Sequence, residues 1–326
     1  MSHEPLRFSR RVHLPSDANE AFAWHARDGA FERLTPPWEK VEVIHRTGPL
    51  AEGMRATLAV RVGPFAPRWV AEHIDVKPGQ GFVDRQENGP FGLWEHHHRL
   101  DHDPAGGCWL EDDIRYETPL YPFGRIGKPF VEHKLDRMFG YRHDVTVHDL
   151  AAHKRMQELL GGRKLTIAIS GASGLVGSAL APFLSTGGHT VKRLVRREPA
   201  AEDEVRFDVR RGLVDAAALE GVDAVVHLAG ENVGEGRWTE DKRRRILESR
   251  TESTRLLAET LARLQKPPSV LVSASAIGFY GDRGDAILDE EASAGTGFLA
   301  DVCRAWERET EAAEAAGIRV VHARIG

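Results

Sequence analysis

The chain has 326 residues, a formal net charge of −5 and 29% charged residues. That length implies two domains rather than one small core, and the mildly acidic balance argues against a nucleic-acid or membrane-surface binder. Two cysteines, Cys108 and Cys303, stand far apart without Cys-x-x-Cys spacing, which excludes a disulfide framework and fits a reducing cytoplasm.

Met1 to Pro5 lead into Arg7, Arg10 and Arg11 without an apolar core, so no signal peptide is expected. No apolar run approaches the ~18 residues that a membrane span requires. Alternation of Phe8, Arg10, Val12 and Leu14 with Ser9, Arg11 and His13 predicts a strand ending at Pro15. Ser16-Asp17-Ala18-Asn19 is a helix start, with Ala21, Phe22, Trp24, His25 and Phe31 along the segment that follows. Strands are then predicted at Val41–His45, Arg55–Val62, Trp69–Val76, Gly81–Gln86, Trp94–Leu100 and Trp109–Glu117. Gly, Pro or Asp separates them, as in an antiparallel meander. A helix from about Ile126 to Tyr141 carries Phe130, Leu135, Met138 and Phe139.

One strand, a helix, six strands and a helix is an order that resembles the START-like, or polyketide-cyclase-like, helix-grip (SRPBCC) domain. The resemblance implies a curved antiparallel sheet around a long helix, with an apolar cavity between them. Trp24, Phe31, Trp38, Phe65, Trp69, Phe82, Phe91, Trp94, Trp109 and Phe130 gather in this half, as core or as the lining of a cavity for an apolar ligand. In His96-His97-His98 the strand period turns His97 away from the other two. Two co-facial histidines with no third ligand indicated argue for solvated or cavity-lining side chains, so no metal site is expected.

Asp149 to Lys164 is polar, helical at first and broken by Gly161-Gly162. It divides the chain into a first domain over 1–150, a linker over 151–163 and a second domain over 164–326. Strand Leu165–Ile169 runs into Ser170-Gly171-Ala172-Ser173-Gly174-Leu175-Val176-Gly177, followed by an apolar helix that ends at Gly187-Gly188. Bare glycines keep such a turn tight and let a pyrophosphate approach the unpaired amides of the helix. Pro182 removes one hydrogen bond from that helix and predicts a local kink. Strands Thr190–Val195, Val205–Val209, Ala224–Leu228, Ser269–Ser273 and Arg319–Ala323 alternate with helices over about Thr239–Leu264 and Phe298–Ala316. This predicts an α/β Rossmann domain, a doubly wound parallel sheet with right-handed crossovers, preceded by the α+β domain.

The second of these strands ends in Arg196-Arg197, where an acidic residue would take the ribose hydroxyls of NAD and an arginine suits the 2′-phosphate of NADP. NADP is therefore expected over NAD. Asp208 ends the third strand, where its carboxylate can accept from an adenine amino group. His227-Leu228-Ala229-Gly230 ends the fourth, where small residues admit the cofactor. Lys242–Arg245, with Glu240, Asp241 and Glu248, is read as the solvated face of a helix whose apolar side packs inward or pairs in a homodimer.

Ser170 to Gly177, His227 to Glu231, Arg237-Trp238-Thr239, Ser249-Arg250 and Ser273 to Gly281 resemble the extended short-chain dehydrogenase/reductase superfamily. Within it they are similar to its atypical NAD(P)-dependent epimerase-like branch, often fused to a START-like domain and sometimes called cell-division inhibitor. The resemblance implies cofactor contacts at Gly171, Ser173, Gly174, Leu175, Val176, Gly177, Arg196, Asp208, Val209, Leu228, Ala229 and Gly230. It implies Ser275, less favourably Ser273, in the catalytic serine position.

The usual Tyr-x-x-x-Lys pair is missing. Its slots hold Phe298 and Val302, or Leu299 and Cys303; Tyr280 is the last tyrosine and Lys266 the last lysine. Cys303 lies on a helix stripe expected to pack on the sheet, which makes it inert. Glu231, Arg237 and Tyr280 follow the carboxyl ends of strands, and Glu231 and Tyr280 join Ser275 as catalytic candidates. The chain stops directly after the sixth strand, where the family leads into a substrate lobe, so the sequence reads as truncated with that lobe missing. The expectation is an NADP-binding oxidoreductase or epimerase acting on a small-molecule substrate; the alternative is a non-catalytic NADP(H)-sensing or regulatory protein.

Overall fold

The alternating segment at the start forms β1 (Leu6–Leu14) in the computed structural model, which describes residues 4–61, 66–118 and 128–326. Asp17 then caps α1 (Ala18–Ala26), its carboxylate accepting from the Glu20 amide at 2.9 Å. After α2 (Ala30–Leu34) come β2 (Val41–Arg46), β3 (Arg55–Val60), β4 (Arg68–Lys77), β5 (Gly81–Asn88), β6 (Leu93–His102) and β7 (Cys108–Glu117). The seven strands make one sheet in the order β1-β7-β6-β5-β4-β3-β2, with β1 antiparallel to β7. A long helix, α3 (Lys128–Leu159), packs on the inner face, its Phe139 ring 5.6 Å from Phe8 and 5.2 Å from His96.

Several expectations change. The stretch read as a linker over 151–163 is helical as far as Leu159, because Ala, Lys, Arg, Met, Gln and Glu extend α3 until the left-handed Gly161 and Gly162 stop it. Trp38 and Phe130 are exposed rather than lining an interior. Val62, Phe65 and the predicted helix start at Ile126 lie outside the described residues. The inner face is also not uniformly apolar. One cluster holds Leu14, Phe22, Trp24, Phe82, Leu100, Leu110 and Leu150, and another holds Trp94, Ile114, Tyr116, Leu135 and Phe139. Between them His96, His98 and Asp112 of the sheet and His143 of α3 are buried, so the inward faces of β6 and β7 run apolar, polar, apolar.

The chain divides into two compact units: residues to Arg163 with Ser185–Gly188, and Lys164–Leu184 with His189–Gly326. The second unit opens with β8 (Thr166–Ser170), α4 (Gly177–Thr186) and β9 (Thr190–Val195). After them come β10 (Glu204–Asp208), β11 (Leu213–Val214), α5 (Ala216–Leu219) and β12 (Ala224–His227). It closes with α6 (Glu240–Ala262), β13 (Val270–Ala276), α7 (Phe298–Arg308), α8 (Glu311–Ala315) and β14 (Arg319–Ile325). Strand order is β11-β10-β9-β8-β12-β13-β14, all parallel pairings except the short β10–β11 hairpin. Connections leave β8 in opposite directions, which opens a crevice at the carboxyl ends of β8 and β12. α4 runs through Pro182 as one helix, and Gly188 beyond it is left-handed at φ 80°. Leu257, Ala258 and Leu261 of α6 pack on Ala168, Val225 and Leu271 of the sheet. Among the described residues no helix is long and apolar enough to cross a membrane.

Candidate functional site

The crevice begins at the turn from β8 to α4, where each glycine has a separate reason. Gly171 is left-handed at φ 71°, and a Cβ there would lie 2.8 Å from the Leu228 carbonyl carbon. Gly177 heads α4 so close to the turn that a Cβ would meet Gly171 O at 2.2 Å. Gly174 has room by comparison, with 3.2 Å to Gly171 O, and its amide donates to that oxygen at 2.9 Å. Ser173, Gly174, Leu175 and Val176 are exposed, Leu175 at 93%. Carbonyls of the turn already take the amides of Ser178 (2.8 Å), Ala179 (3.2 Å) and Leu180 (2.9 Å), so the open turn and the positive helix end leave the amides of Ser173, Leu175, Val176 and Gly177 to an anion.

Behind the turn, buried polar groups lock β8 to β12 and α6. Ser170 Oγ accepts from the amides of Leu228 (3.1 Å) and Ala229 (3.3 Å) and donates to His227 Nδ1 at 2.6 Å. His227 Nε2 donates to Ser253 Oγ at 3.1 Å, which donates to the Ser249 carbonyl at 2.6 Å. The chain of donors requires a neutral imidazole, and burial pulls His227 down to about 4. The amides of Leu228 and Ala229 are thereby used inside the fold rather than offered to a ligand. Gly230 makes room for a guanidinium, a Cβ there falling 3.2 Å from Arg250 Cζ.

At the ends of β9 and β10 lies a shallow pocket of about 550 Å³ lined by Arg196, Arg197, Glu198, Arg206, Asp208, Arg210 and Arg211. Arg197 is bidentate on Glu204, at 2.6 and 2.7 Å. Arg206 spans Glu198 (2.5 Å) and Asp208 (2.8 Å), so the Asp208 carboxylate expected to face an adenine is already paired through one oxygen. Val209 packs against the sheet core. Arg196 and Arg210 have no acidic partner among the described residues and give the pocket its surplus positive charge.

The three catalytic candidates separate into two groups. Ser275 Oγ donates to Glu307 Oε1 at 2.6 Å, and Arg324 holds the same carboxylate bidentately at 2.9 and 3.0 Å. Arg324 Nη1 also donates to the Tyr280 hydroxyl oxygen at 3.0 Å, so Ser275 and Tyr280 share one network. Burial opposes ionisation of Glu307, but Arg324 and Ser275 hold it below the ordinary range. Glu231 stands apart, kept ionised by Lys242 at 2.9 Å, with Arg245 at 3.5 Å. Ser273 is fully buried. Cys303 is buried, and burial pushes its thiol up despite the Arg250 guanidinium nearby, a cation that the sequence did not reveal.

Residues 167–322 match the family model described as "NAD dependent epimerase/dehydratase family". The match runs through the second unit from β8 into β14. An epimerase family protein of Mycobacterium leprae is 42% identical over 164 residues, covering 50% of this chain and 53% of its own length. One from Bacillus subtilis is 33% identical over 166 residues, with 50% of this chain and 54% of its own length covered. The chain thus spans about half the length of these curated relatives. The crystal structure of a nucleoside-diphosphate sugar epimerase from Corynebacterium glutamicum is similar at TM-score 0.78 and 34% identity. That likeness covers 97% of this chain and 65% of the other, and so runs through both units.

In the second unit, sequence reading missed Glu307, Arg324 and the Ser170–His227–Ser253 chain. Nothing local marks Glu307, which lies 32 residues from Ser275 and meets it only because α7 covers β13. Ser170 and His227, both ending strands of the crevice, carried a usable signal. The lowered His227 value has a stability consequence. Its unfolded imidazole takes a proton below pH 6.5 and its folded one only near 4, so stability present above 6.5 is lost as pH falls through that window. The expected loss from this group is on the order of 2–3 kcal/mol. Urea denaturation at pH 7 and pH 4.5 checks it: His227→Asn should show a smaller fall than the parent, and an equal fall removes His227 as the cause.

Proposed function

We propose that the second unit binds NADP(H), in preference to NAD(H), at the turn between β8 and α4. We further propose that it serves oxidoreduction or epimerisation of a small substrate, a nucleoside-diphosphate sugar by class. The observation that carries this reading is the open glycine turn heading α4 at the point where strand order reverses, inside a segment matching a family described as NAD dependent. The substrate class draws its support from the description of the Corynebacterium neighbour. A bound nicotinamide would supply the hydride donor or acceptor. The amides of Ser173, Leu175, Val176 and Gly177 would hold the pyrophosphate, and Arg196 the 2′-phosphate.

Tyr280 accepts from Arg324 and so keeps its own proton for donation. Ser275 donates its O–H to the Glu307 carboxylate and retains lone pairs to accept from a substrate hydroxyl. Arg324 would thus orient the phenol in a chain that lacks the Tyr-x-x-x-Lys lysine. Glu231, fixed as a carboxylate by Lys242, suits accepting hydrogen bonds better than delivering protons. The first unit is read as a helix-grip domain, supported by its strand–helix order and by α3 across the sheet.

The experiment is a pair of titrations with NADPH and NADH on the full chain and on Arg196→Ala. Loss of a charge-assisted contact to phosphate of about 1.5–3 kcal/mol predicts a preference for NADPH reduced roughly 10- to 100-fold. An unaltered affinity ratio overturns the role of Arg196, and failure of both dinucleotides to bind overturns the site.

A further inference from the structure

We propose that the inner face of the first unit's sheet binds one divalent first-row transition-metal ion through Asp84, His96 and His98. The site follows from strand register. His96 and His98 share the inner face of β6, Asp84 of β5 pairs directly with His96, and Asp112 of β7 pairs directly with His98. The third ligand that the His-His-His run lacked in sequence therefore comes from the neighbouring strand. His97 faces the other side and bonds to Glu95 at 2.6 Å.

One donor atom from each of Asp84, His96 and His98 lies within 4.8 Å of the other two. Asp84 Oδ2 is 3.1 Å from His98 Nε2 and 3.9 Å from His96 Nδ1. Ligands at ~2.1 Å from a metal stand roughly 3–3.5 Å apart, so closure needs a contraction on the order of 1 Å. Two imidazoles and one carboxylate are a donor set for zinc or for a 2-His-1-carboxylate iron, and do not suit calcium or magnesium.

The remaining atoms of these ligands are held from behind. His96 Nε2 bonds to Asp112 Oδ1 at 2.8 Å, and His98 Nδ1 lies 2.9 Å from the same oxygen. Asp112 Oδ2 in turn meets His143 Nε2 at 2.6 Å, and Asp84 Oδ1 lies 2.8 Å from His73 Nε2. A carboxylate behind each ligating imidazole is the arrangement that fixes the ring and raises its basicity toward a metal. Hydrogen bonding in the cluster is incomplete: His73 Nδ1 and His143 Nδ1 are buried without a hydrogen-bond partner, and the close contacts of His98 Nδ1 with Asp112 and of Asp84 Oδ1 with His73 are not aligned as hydrogen bonds. Asp84 and Asp112 give this end of the inner face two carboxylates against the imidazoles, a local negative charge that suits a dication. Asp84 gives the ion its way in, its side chain being 26% exposed. On binding, the proton that His98 Nε2 shares with Asp84 leaves to solvent as the metal takes its place.

The test is titration of the untagged, chelator-treated full chain with Co²⁺ and Zn²⁺, followed by calorimetry and by the visible absorption of bound Co²⁺. One equivalent per chain is expected. Asp84→Asn should bind at least ~10-fold more weakly, His73→Gln 10- to 100-fold more weakly through loss of its hold on Asp84, and His97→Ala unchanged. Circular dichroism of each variant reports folding; if Asp84→Asn does not fold, His73→Gln against His97→Ala decides. Absence of stoichiometric binding to the parent chain overturns the proposal. So does equal affinity in the folded Asp84 or His73 variant, or a loss in His97→Ala as large as theirs.

Discussion

Gly174→Asp is expected to lower NADPH affinity at least ~100-fold while the second unit stays folded. The position is suited to this test because it is exposed, its backbone is not left-handed, and its nearest obstacle to a Cβ is Gly171 O at 3.2 Å. The flanking glycines serve less well: a side chain at Gly177 would run into the turn itself, and Gly171 is left-handed against Leu228. At Gly174 the added carboxylate would stand where the pyrophosphate approaches the amides heading α4. Like charges set together cost several kcal/mol, and each 1.4 kcal/mol is a factor of ten in binding. Quenching of protein fluorescence by NADPH, with circular dichroism as the folding control, reads the outcome. Unchanged affinity in a folded variant would remove the turn from the account.

Asp112→Ala is expected to destabilise the first unit by about 3–5 kcal/mol in the metal-free chain, measured by denaturant unfolding. This carboxylate receives His96 and His143 and faces His98, all buried, so removing it strands three imidazoles at once. Asp112→Asn, which keeps the shape and one acceptor, should cost less. The pH dependence has a defined sign. Burial raises the Asp112 carboxyl, the three imidazoles more than reverse this, and its contribution is present above about 3.8 and lost on further acidification. Burial lowers His98, but Asp112 and Asp84 raise it to about 9, so its contribution is present below 6.5 and lost as pH rises through 9. The gap between parent and variant should therefore be widest between these limits and narrow on either side. A pH-independent gap contradicts the assignment.

How far the sequence could be read depended on how local the physics was. Strand, glycine turn and helix over 165–188 were legible because the turn's steric demand falls on consecutive residues. The six strands after Val41 were legible from alternation and from the Gly, Pro and Asp between them. Register was not legible: nothing in either strand alone says that Asp84 faces His96, since one residue of slip between β5 and β6 would put it outside. At the join, the helical start, the break at Gly161-Gly162 and the second unit from Lys164 were legible; what a polar stretch did not show is that residues 151–159, good helix formers, continue α3 without a break instead of forming a separate linker. Ser275 and Tyr280 were identified from the strand end, but their connection runs through Glu307 and Arg324, which only the covering of β13 by α7 and its pairing with β14 bring near. The Arg206–Asp208 pair was readable in principle, because residues two apart on a strand share a face.

The most direct measurement is a crystal structure of the full chain grown with saturating NADPH. The account predicts pyrophosphate oxygens within hydrogen-bond distance of the amides between Ser173 and Gly177, with the 2′-phosphate at Arg196. Pyrophosphate bound elsewhere on the chain, or a turn left empty at saturating dinucleotide, contradicts it.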